Sequence, residues 1–421
     1  GDFGILDSEL DSLSPEKRWS RCQKEVRKAF QHAWAGYVRD AWGYDEYHPI
    51  SCTGSNLTQK GIGFTIVDSI DTLMIMNLKD EYLKARDWIA NSLDFDVDGN
   101  SNVFETTIRV LGGLLSAYHL SGNDTVYLQK AIDLGSRLLG AFDSPTGIPY
   151  SSVNLATRKG IPSHFSGGVS STSEATTLQL EFKYLSYISG DYDYWSRVEN
   201  VMFMIDNLPK FDGLVPIYLS PEFGKFSGET ITLGARGDSY YGNLILGVTK
   251  GKKIKEMGDL SENDIEDLNI GKELTRTCVQ MYFSTQTGLA PEIAYFNTFT
   301  NSAEDIIIKK QDRHNLLRPE TVESLFILWR ITGDVKYREW GWKIFRAFEK
   351  YSKIDEGGYT SLDDVTSIPP SRRDKMETFW MAETLKYLYL LFGPDDVIPL
   401  DEYVFNTEAH PLPVFKPPHM Q

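Results

Sequence analysis

Cysteine, positive charge and long apolar runs are what this 421-residue sequence has least of. Its three cysteines, Cys22, Cys52 and Cys278, are too few and too scattered for a disulfide framework or a thiolate zinc centre. They leave two readings, one bridge plus a free thiol or no bridge at all. Lys and Arg number 43 against 59 Asp and Glu, a formal net charge of −16. The basic footprint that phosphate backbones demand is missing, which excludes nucleic acid as a partner class. No apolar run approaches the ~20 residues that span a bilayer, so no membrane contact is expected from this segment. The opening Gly1-Asp2-Phe3-Gly4 has neither the basic start nor the apolar core of a secretory leader. An already processed catalytic or binding portion is expected.

What is present points to a large folded body. Hydrophobic residues make up 41% and charged residues 24%, ample for a buried core and unlike a disordered chain. The acidic balance suits a neutral sugar or a divalent cation. Two glycosylation triplets, Asn56-Leu57-Thr58 and Asn123-Asp124-Thr125, point weakly to the secretory route.

The hydrophobic rhythm is helical from end to end. Ser14-Pro15-Glu16 reads as an N-cap with proline at the first helical position, and Val26, Ala29, Ala33, Trp34, Tyr37 and Val38 follow at helical spacing. Further periodic stretches lie near 64–77, 80–92, 103–120, 124–141, 171–189, 191–206, 237–249, 270–284, 320–332, 335–352 and 373–392. Strand signals are local, at Gly213–Tyr218 and in the tail Glu402–Phe415. Lys250–Asn269 is charged and poor in apolar residues, the best candidate for an exposed excursion. About a dozen helices joined by Gly- and Pro-bearing loops suggest antiparallel helical hairpins. Whether these close into a barrel or stay an open solenoid is not fixed by periodicity.

The acidic residues are placed informatively. Glu105, Glu174, Asp238, Glu292 and Glu320 each follow a loop and precede an apolar helical run, and Glu377, Glu383 and Glu408 come near the end. The ordinary reading is capping, because carboxylates in a first turn satisfy orphan amides and the helix dipole. In a ring of hairpins, however, helix starts from distant sequence positions gather at one end. Glycoside hydrolysis needs such a set, one acid to protonate the leaving oxygen and one base to activate water. Glu105 and Arg109 are four apart, on one helix face, where the cation orients the carboxylate or forms an ordinary surface pair. Glu320 and Glu323 are three apart, and like charges so placed want a cation, a hydroxyl or a proton unless both are solvated. Arg236 beside Asp238 is a further oriented pair.

These strings resemble the class I α-1,2-mannosidases of glycoside hydrolase family 47. The resemblance rests on Ala41–Glu46, Val67-Asp68-Ser69-Ile70-Asp71-Thr72-Leu73, Phe104–Leu114, Glu174 leading to Leu178–Phe182, and Gly234-Ala235-Arg236-Gly237-Asp238-Ser239-Tyr240-Tyr241. It continues through Leu317-Arg318-Pro319-Glu320-Thr321-Val322-Glu323-Ser324, Ala382–Tyr387 and Phe405-Asn406-Thr407-Glu408-Ala409-His410-Pro411. The strings run in the family's order over nearly the whole chain, and jointly they are highly specific.

The resemblance implies an all-α fold, an (α/α)7 barrel of antiparallel helical hairpins plugged by a short C-terminal β-hairpin. One catalytic domain over 1–421 is expected, with the barrel at about 14–395 and the hairpin and tail at 396–421. It implies an inverting, Ca²⁺-dependent exo-α-1,2-mannosidase that trims high-mannose N-glycans on glycoproteins. Glu105 resembles the general acid, directly or through a water, Glu320 the base, and Asp238 a third catalytic carboxylate. Arg109 and Arg236 would flank the acid, and Phe379 would stack on the terminal mannose. Thr407 would hold Ca²⁺ through its hydroxyl and carbonyl, with Glu174, Glu323, Glu383 and Glu408 holding metal-bound waters and contacting substrate. Inversion requires about 6.5–9.5 Å between the acid and base carboxyls.

The sequence also departs from the family. Gly242 and Asn243 follow Asp-Ser-Tyr-Tyr where a glutamate and an aromatic are usual. The next segment, 250–269, is short and lacks the cysteine that usually pairs with the one at Cys278. Cys278 is therefore expected to be a buried free thiol, with Cys22–Cys52 a candidate substitute bridge. Two other readings are a glycan-binding quality-control factor on the same fold with little turnover, and an unrelated helical-barrel glucan hydrolase. The three carboxylates with Thr407 favour the active mannosidase. A monomer in the lumen of the secretory pathway, or secreted, is expected.

Overall fold

The computed structural model describes residues 10, 12–164, 167–232, 234–240, 262–297 and 305–415, with only the backbone of 262 and 263. The expected helix 237–249 beyond residue 240, the Gly242-Asn243 departure and 250–261 of the expected excursion lie outside the described residues. The chain divides into two compact units, each discontinuous in sequence. One comprises Gly1–Trp42, Glu46–Ser55 and Lys253–Pro399, the other Gly43–Asp45, Asn56–Lys252 and Leu400–Gln421.

In the first unit the helix Pro15–Asp40 starts where the proline predicts, with Ser14 extended at its N-cap. The Ser14 side chain makes no capping hydrogen bond, and its carbonyl accepts from the Arg18 amide at 2.9 Å instead. The helix buries Trp19, Cys22, Val26, Ala29, Phe30, Ala33, Trp34 and Tyr37, an apolar stripe of helical period. Val38, expected on that face, is exposed. Gly36 lies so close to Gly357 that a Cβ there would meet backbone at 2.8 Å, which fixes glycine at this crossing. This helix packs on Leu385–Phe392, which also packs on Glu320–Thr332 and Lys336–Tyr351. The helix Glu262–Phe283 begins eight residues before the expected 270, so the end of the presumed excursion is helical, and it packs on Glu320–Thr332. The last expected helix begins late, as a π-helical turn Trp380–Thr384 that leads into Leu385–Phe392.

In the second unit the helix Phe64–Ile75 is buried on every side from Phe64 through Leu73. It packs on Lys79–Asn91 and Gly112–Leu120, and Thr125–Leu138 packs on Gly112–Leu120 and on Gln179–Ser189. Gln179–Ser189 and Tyr192–Asp206 form a hairpin joined by the left-handed Gly190 and the N-capping Asp191. The expected 103–120 helix forms, but its middle, Thr106–Leu111, is π-helical. The expected 171–189 helix is interrupted at 177–178, leaving a short helix Thr172–Thr176.

Strands are short. The tail forms the expected hairpin, Tyr403–Phe405 antiparallel to Pro411–Pro413. The strand expected at 213–218 sits instead at Tyr218–Ser220, beyond Pro216, which has no amide proton to give a ladder. All three cysteines are free. Cys22 is buried within its helix, Cys52 is exposed, and Cys278 is half-buried rather than buried. The substitute Cys22–Cys52 bridge is therefore not formed.

Candidate active site

Each unit assembles its own set of candidate residues. In the second unit the set begins at the N-terminus of the 103–120 helix. Asn102 caps it, its side chain accepting from the Glu105 amide at 2.8 Å. Glu105 is thereby held in the first turn with its side chain 40% exposed. Arg109, one turn on, donates from Nε to Glu105 Oε2 at 2.8 Å. Its Nη1 reaches Glu408 Oε1 and lies 3.5 Å from Asp68 Oδ2. Burial opposes the charge of Arg109, but Glu408, Glu105 and Asp68 outweigh it and hold the guanidinium well above its ordinary value. One cation thus organises three carboxylates, two of them buried.

Behind Arg109 the network continues inward. His410, wholly buried, places Nε2 3.1 Å from Asp68 Oδ1 and Nδ1 2.7 Å from Asp71 Oδ2. Each ring nitrogen of His410 thus has an aspartate oxygen within hydrogen-bond distance, and the imidazole ties Asp68 to Asp71. Glu181 is also buried. It accepts from Asn406 at 2.7 Å, and burial pushes its carboxyl up to about 7.

Glu174 lies in the short 172–176 helix, and Asp238 meets the start of that helix through Ser173. Ser171 caps that helix, accepting from the Glu174 amide at 3.3 Å. Ser173 ties down the neighbouring turn: its amide donates to the Arg236 carbonyl at 3.0 Å and its hydroxyl to Asp238 Oδ1 at 3.3 Å. Burial, then the charge of Glu105, raises the Glu174 carboxyl, while Arg236 and Asn102 act against the rise. Arg236 has a positive φ of 75°, its guanidinium packs over the Tyr218 ring, and it donates to the Tyr218 hydroxyl. Asp238 is exposed, and the Ser239 amide donates to it at 2.7 Å.

Thr407 occupies the turn of the tail hairpin. It is exposed while Asn406 and Glu408 on either side are buried. Among the described residues no group of three His, Cys, Asp or Glu side chains is arranged to hold a metal. The donors at this turn are a hydroxyl and carbonyls, hard oxygens that fit Ca²⁺ completed by water and not a thiophilic or imidazole-seeking metal.

The first unit holds the remaining candidates. Glu320 opens the helix Glu320–Thr332 directly after Pro319, with its side chain 64% exposed. The chain is strained just before it, because Leu317 is a buried, non-glycine residue at φ 66°. Two bonds hold it there: its amide donates to Asn315 Oδ1 at 3.0 Å, and its carbonyl accepts from the Thr384 hydroxyl at 2.6 Å. The π-helical turn that carries Glu383 is thereby tied to the turn that aims Glu320. Arg318 forks onto Glu292, with Nε and Nη2 each 2.7 Å from Oε1, and its guanidinium lies 5.8 Å from the Phe379 ring centre. Glu323, half-buried, accepts from the Tyr387 hydroxyl at 3.3 Å. Burial, then the charge of Glu320, pushes its carboxyl up to about 7. Phe379 and Glu383 are buried.

Sequence reasoning assigned no role to Asp68, Asp71, Glu181, Asn406 or His410. A signal was present, since Asp68 and Asp71 are the charged residues of the hydrophobic Phe64–Ile75 helix and buried carboxylates demand a partner.

Comparison with known proteins decides the family. The chain matches glycosyl hydrolase family 47 over residues 29–257 and 242–414. It belongs to that family. It is accordingly a glycoside hydrolase, all-α and of the (α/α)7 class. It is 47% identical to a mannosyl-oligosaccharide 1,2-alpha-mannosidase of Candida albicans, covering 96% of this chain and 85% of that protein. It is 42% identical to the endoplasmic reticulum mannosyl-oligosaccharide 1,2-alpha-mannosidase of Rattus norvegicus, covering 94% and 68%. Among solved structures it resembles the alpha-1,2-mannosidase of Trichoderma reesei, with a TM-score of 0.84 and 25% identity over 94% of this chain and 99% of that one. The Candida alignment runs over 482 positions, more than the 421 residues of this chain, so the relative carries segments without a counterpart here. The two family matches meet at 242–257. No helix among the described residues is long and apolar enough to cross a membrane.

Proposed function

We propose that this family 47 hydrolase removes terminal α-1,2-linked mannose from high-mannose N-glycans, inverting the anomeric carbon and depending on Ca²⁺. The observation that carries the reading is the Arg109 cluster. A partly exposed carboxyl at a helix start, pinned by a buried arginine, can present a proton at a fixed place.

Glu105 donates its proton to the glycosidic oxygen as the bond to the leaving sugar breaks. Glu320 takes a proton from the water that attacks the anomeric carbon from the opposite face, and β-mannose results. Glu320 then releases its proton to solvent and Glu105 regains one. Asp238, held by Ser173 and Ser239, supports the acid side together with Arg236, while Phe379 offers an apolar face to the sugar ring. Thr407 would hold the calcium ion, with Glu174, Glu323, Glu383 and Glu408 orienting its waters. When bound, the ion would chelate vicinal sugar hydroxyls and favour ring distortion. The relatives named for the endoplasmic reticulum support a setting in the secretory lumen.

A second reading, a glycan-binding factor with little turnover, is favoured by the segments this chain lacks relative to the Candida protein. Proton NMR of a high-mannose glycan digest separates the two. Early β-mannose that appears with Ca²⁺ and not with EDTA supports the hydrolase. Glycan binding without release under either condition supports the second reading, and release of α-mannose refutes inversion.

A further inference from the structure

The Asn406 side chain is buried and all four of its hydrogen-bonding positions are used. Oδ1 accepts from the Glu408 amide at 3.0 Å and the His410 amide at 2.8 Å. Nδ2 donates to the Ile108 carbonyl at 2.9 Å and to Glu181 Oε1 at 2.7 Å. The turn that carries Thr407 is therefore wound around this amide. The two residues whose amides it holds lead directly into the acid side, Glu408 to Arg109 and His410 to Asp68 and Asp71.

The other end of the amide is anchored by the π-helix. In a regular α-helix the Gly112 amide would bond to the Ile108 carbonyl. Here it is shared between the Arg109 and Thr107 carbonyls, and the Ile108 carbonyl accepts from Asn406. Close approach also requires glycine at 112, because a Cβ there would meet Asn406 Nδ2 at 2.6 Å and His410 Cδ2 at 3.1 Å. The bulge, the glycine and the asparagine form one device.

We propose that Asn406 is a positioning residue that locks the Thr407 turn to the π-helical segment beside Glu105 and Arg109, so that the calcium-holding and proton-donating groups keep a fixed relation. This rests on the reading of Thr407 as the calcium ligand. Neither Asn406 nor Gly112 would touch the ion or the sugar through its side chain.

The test is Ca²⁺ titration by calorimetry on EDTA-stripped protein, with circular dichroism to establish folding. Asn406→Asp keeps the acceptor for both amides but turns an oxygen toward the Ile108 carbonyl and Glu181. It is expected to weaken Ca²⁺ at least about tenfold, or ~1.4 kcal/mol. Adding Glu181→Gln supplies an NH₂ that can donate to the new carboxylate, and most of the affinity returns. Gly112→Ala, which displaces Asn406 sterically, weakens Ca²⁺ similarly. If Asn406→Asp alone does not fold, Gly112→Ala and the double variant decide. Folded Asn406→Asp and Gly112→Ala proteins that bind Ca²⁺ within twofold of wild type overturn the proposal alone. Wild-type protein that binds no Ca²⁺, while Glu105→Gln still abolishes hydrolysis, overturns the calcium reading and this proposal with it, but leaves the hydrolase standing.

Discussion

Glu181 offers a stability test that is independent of catalysis. Its carboxyl is 1% exposed, accepts one hydrogen bond from Asn406, and stands at about 7 against an ordinary 4.5 because burial penalises the charge. Below about pH 4.5 the carboxyl is protonated in both folded and unfolded chains and contributes nothing. Between 4.5 and 7 the unfolded chain ionises while the folded chain does not. Folding is therefore progressively disfavoured as pH rises through this window, and the full penalty of about 3 kcal/mol applies above it. Glu181→Gln removes the titration. It keeps the acceptor for Asn406 but puts an NH₂ where Oε2 now lies without a hydrogen-bond partner, at a constant cost of about 1–3 kcal/mol. The variant should thus be less stable than wild type at pH 5 and equal to it or more stable at pH 8. For a chain of this length unfolding as one unit, about 1 °C in Tm corresponds to 1 kcal/mol, so the difference should climb by about 3 °C across the window. Scanning calorimetry of both proteins in EDTA, at half-unit steps from pH 5 to 8.5, gives the curve. Because other titrating groups cancel in the difference, a flat line would refute the assignment of a raised, desolvated carboxyl.

Other perturbations separate catalysis from structure. Glu105→Gln and Glu320→Gln should each lower kcat by about 10²–10⁴. Their Tm should change little, since both side chains reach solvent, and the double variant should lose far less than the product of the two effects. Arg109→Met leaves Asp68 and Glu408 buried without their cation. A loss of about 3–5 kcal/mol follows, to be read as a lower Tm beside reduced activity; an unchanged Tm would contradict the network. Thiol titration with an aromatic disulfide should modify Cys52 quickly in native protein and all three cysteines after denaturation. Cys22, buried and with its thiol pushed up to about 12 chiefly by that burial, should be the slowest in the native state.

How much of this was legible in the sequence depends on what each signal encodes. Apolar period and end signals are local, so Ser14-Pro15, the start at Phe64 and the hairpin joined at Gly190-Asp191 appear where the residues indicate them. The π-helical turns are not local in that sense. Thr106–Leu111 and Trp380–Thr384 carry the same apolar residues an α-helix would, and their partners are distant: Asn406 takes up the Ile108 carbonyl in the first, and the Leu317 carbonyl accepts from the Thr384 hydroxyl in the second. The surface carboxylates were legible because a charge at a helix start stands out. Their partners were not, because Asp68 and Asp71 look like two polar interruptions until His410, more than 300 residues away, is folded between them. The same reasoning explains the cysteines. Their spacing left a bridge open, yet Cys22 faces the core from mid-helix and Cys52 sits at φ 54° in an exposed turn, so each is fixed by its own backbone context. Residues proposed to meet substrate are legible one at a time; residues that hold them in place act as pairs across the chain, and only the folded structure reveals the pairing.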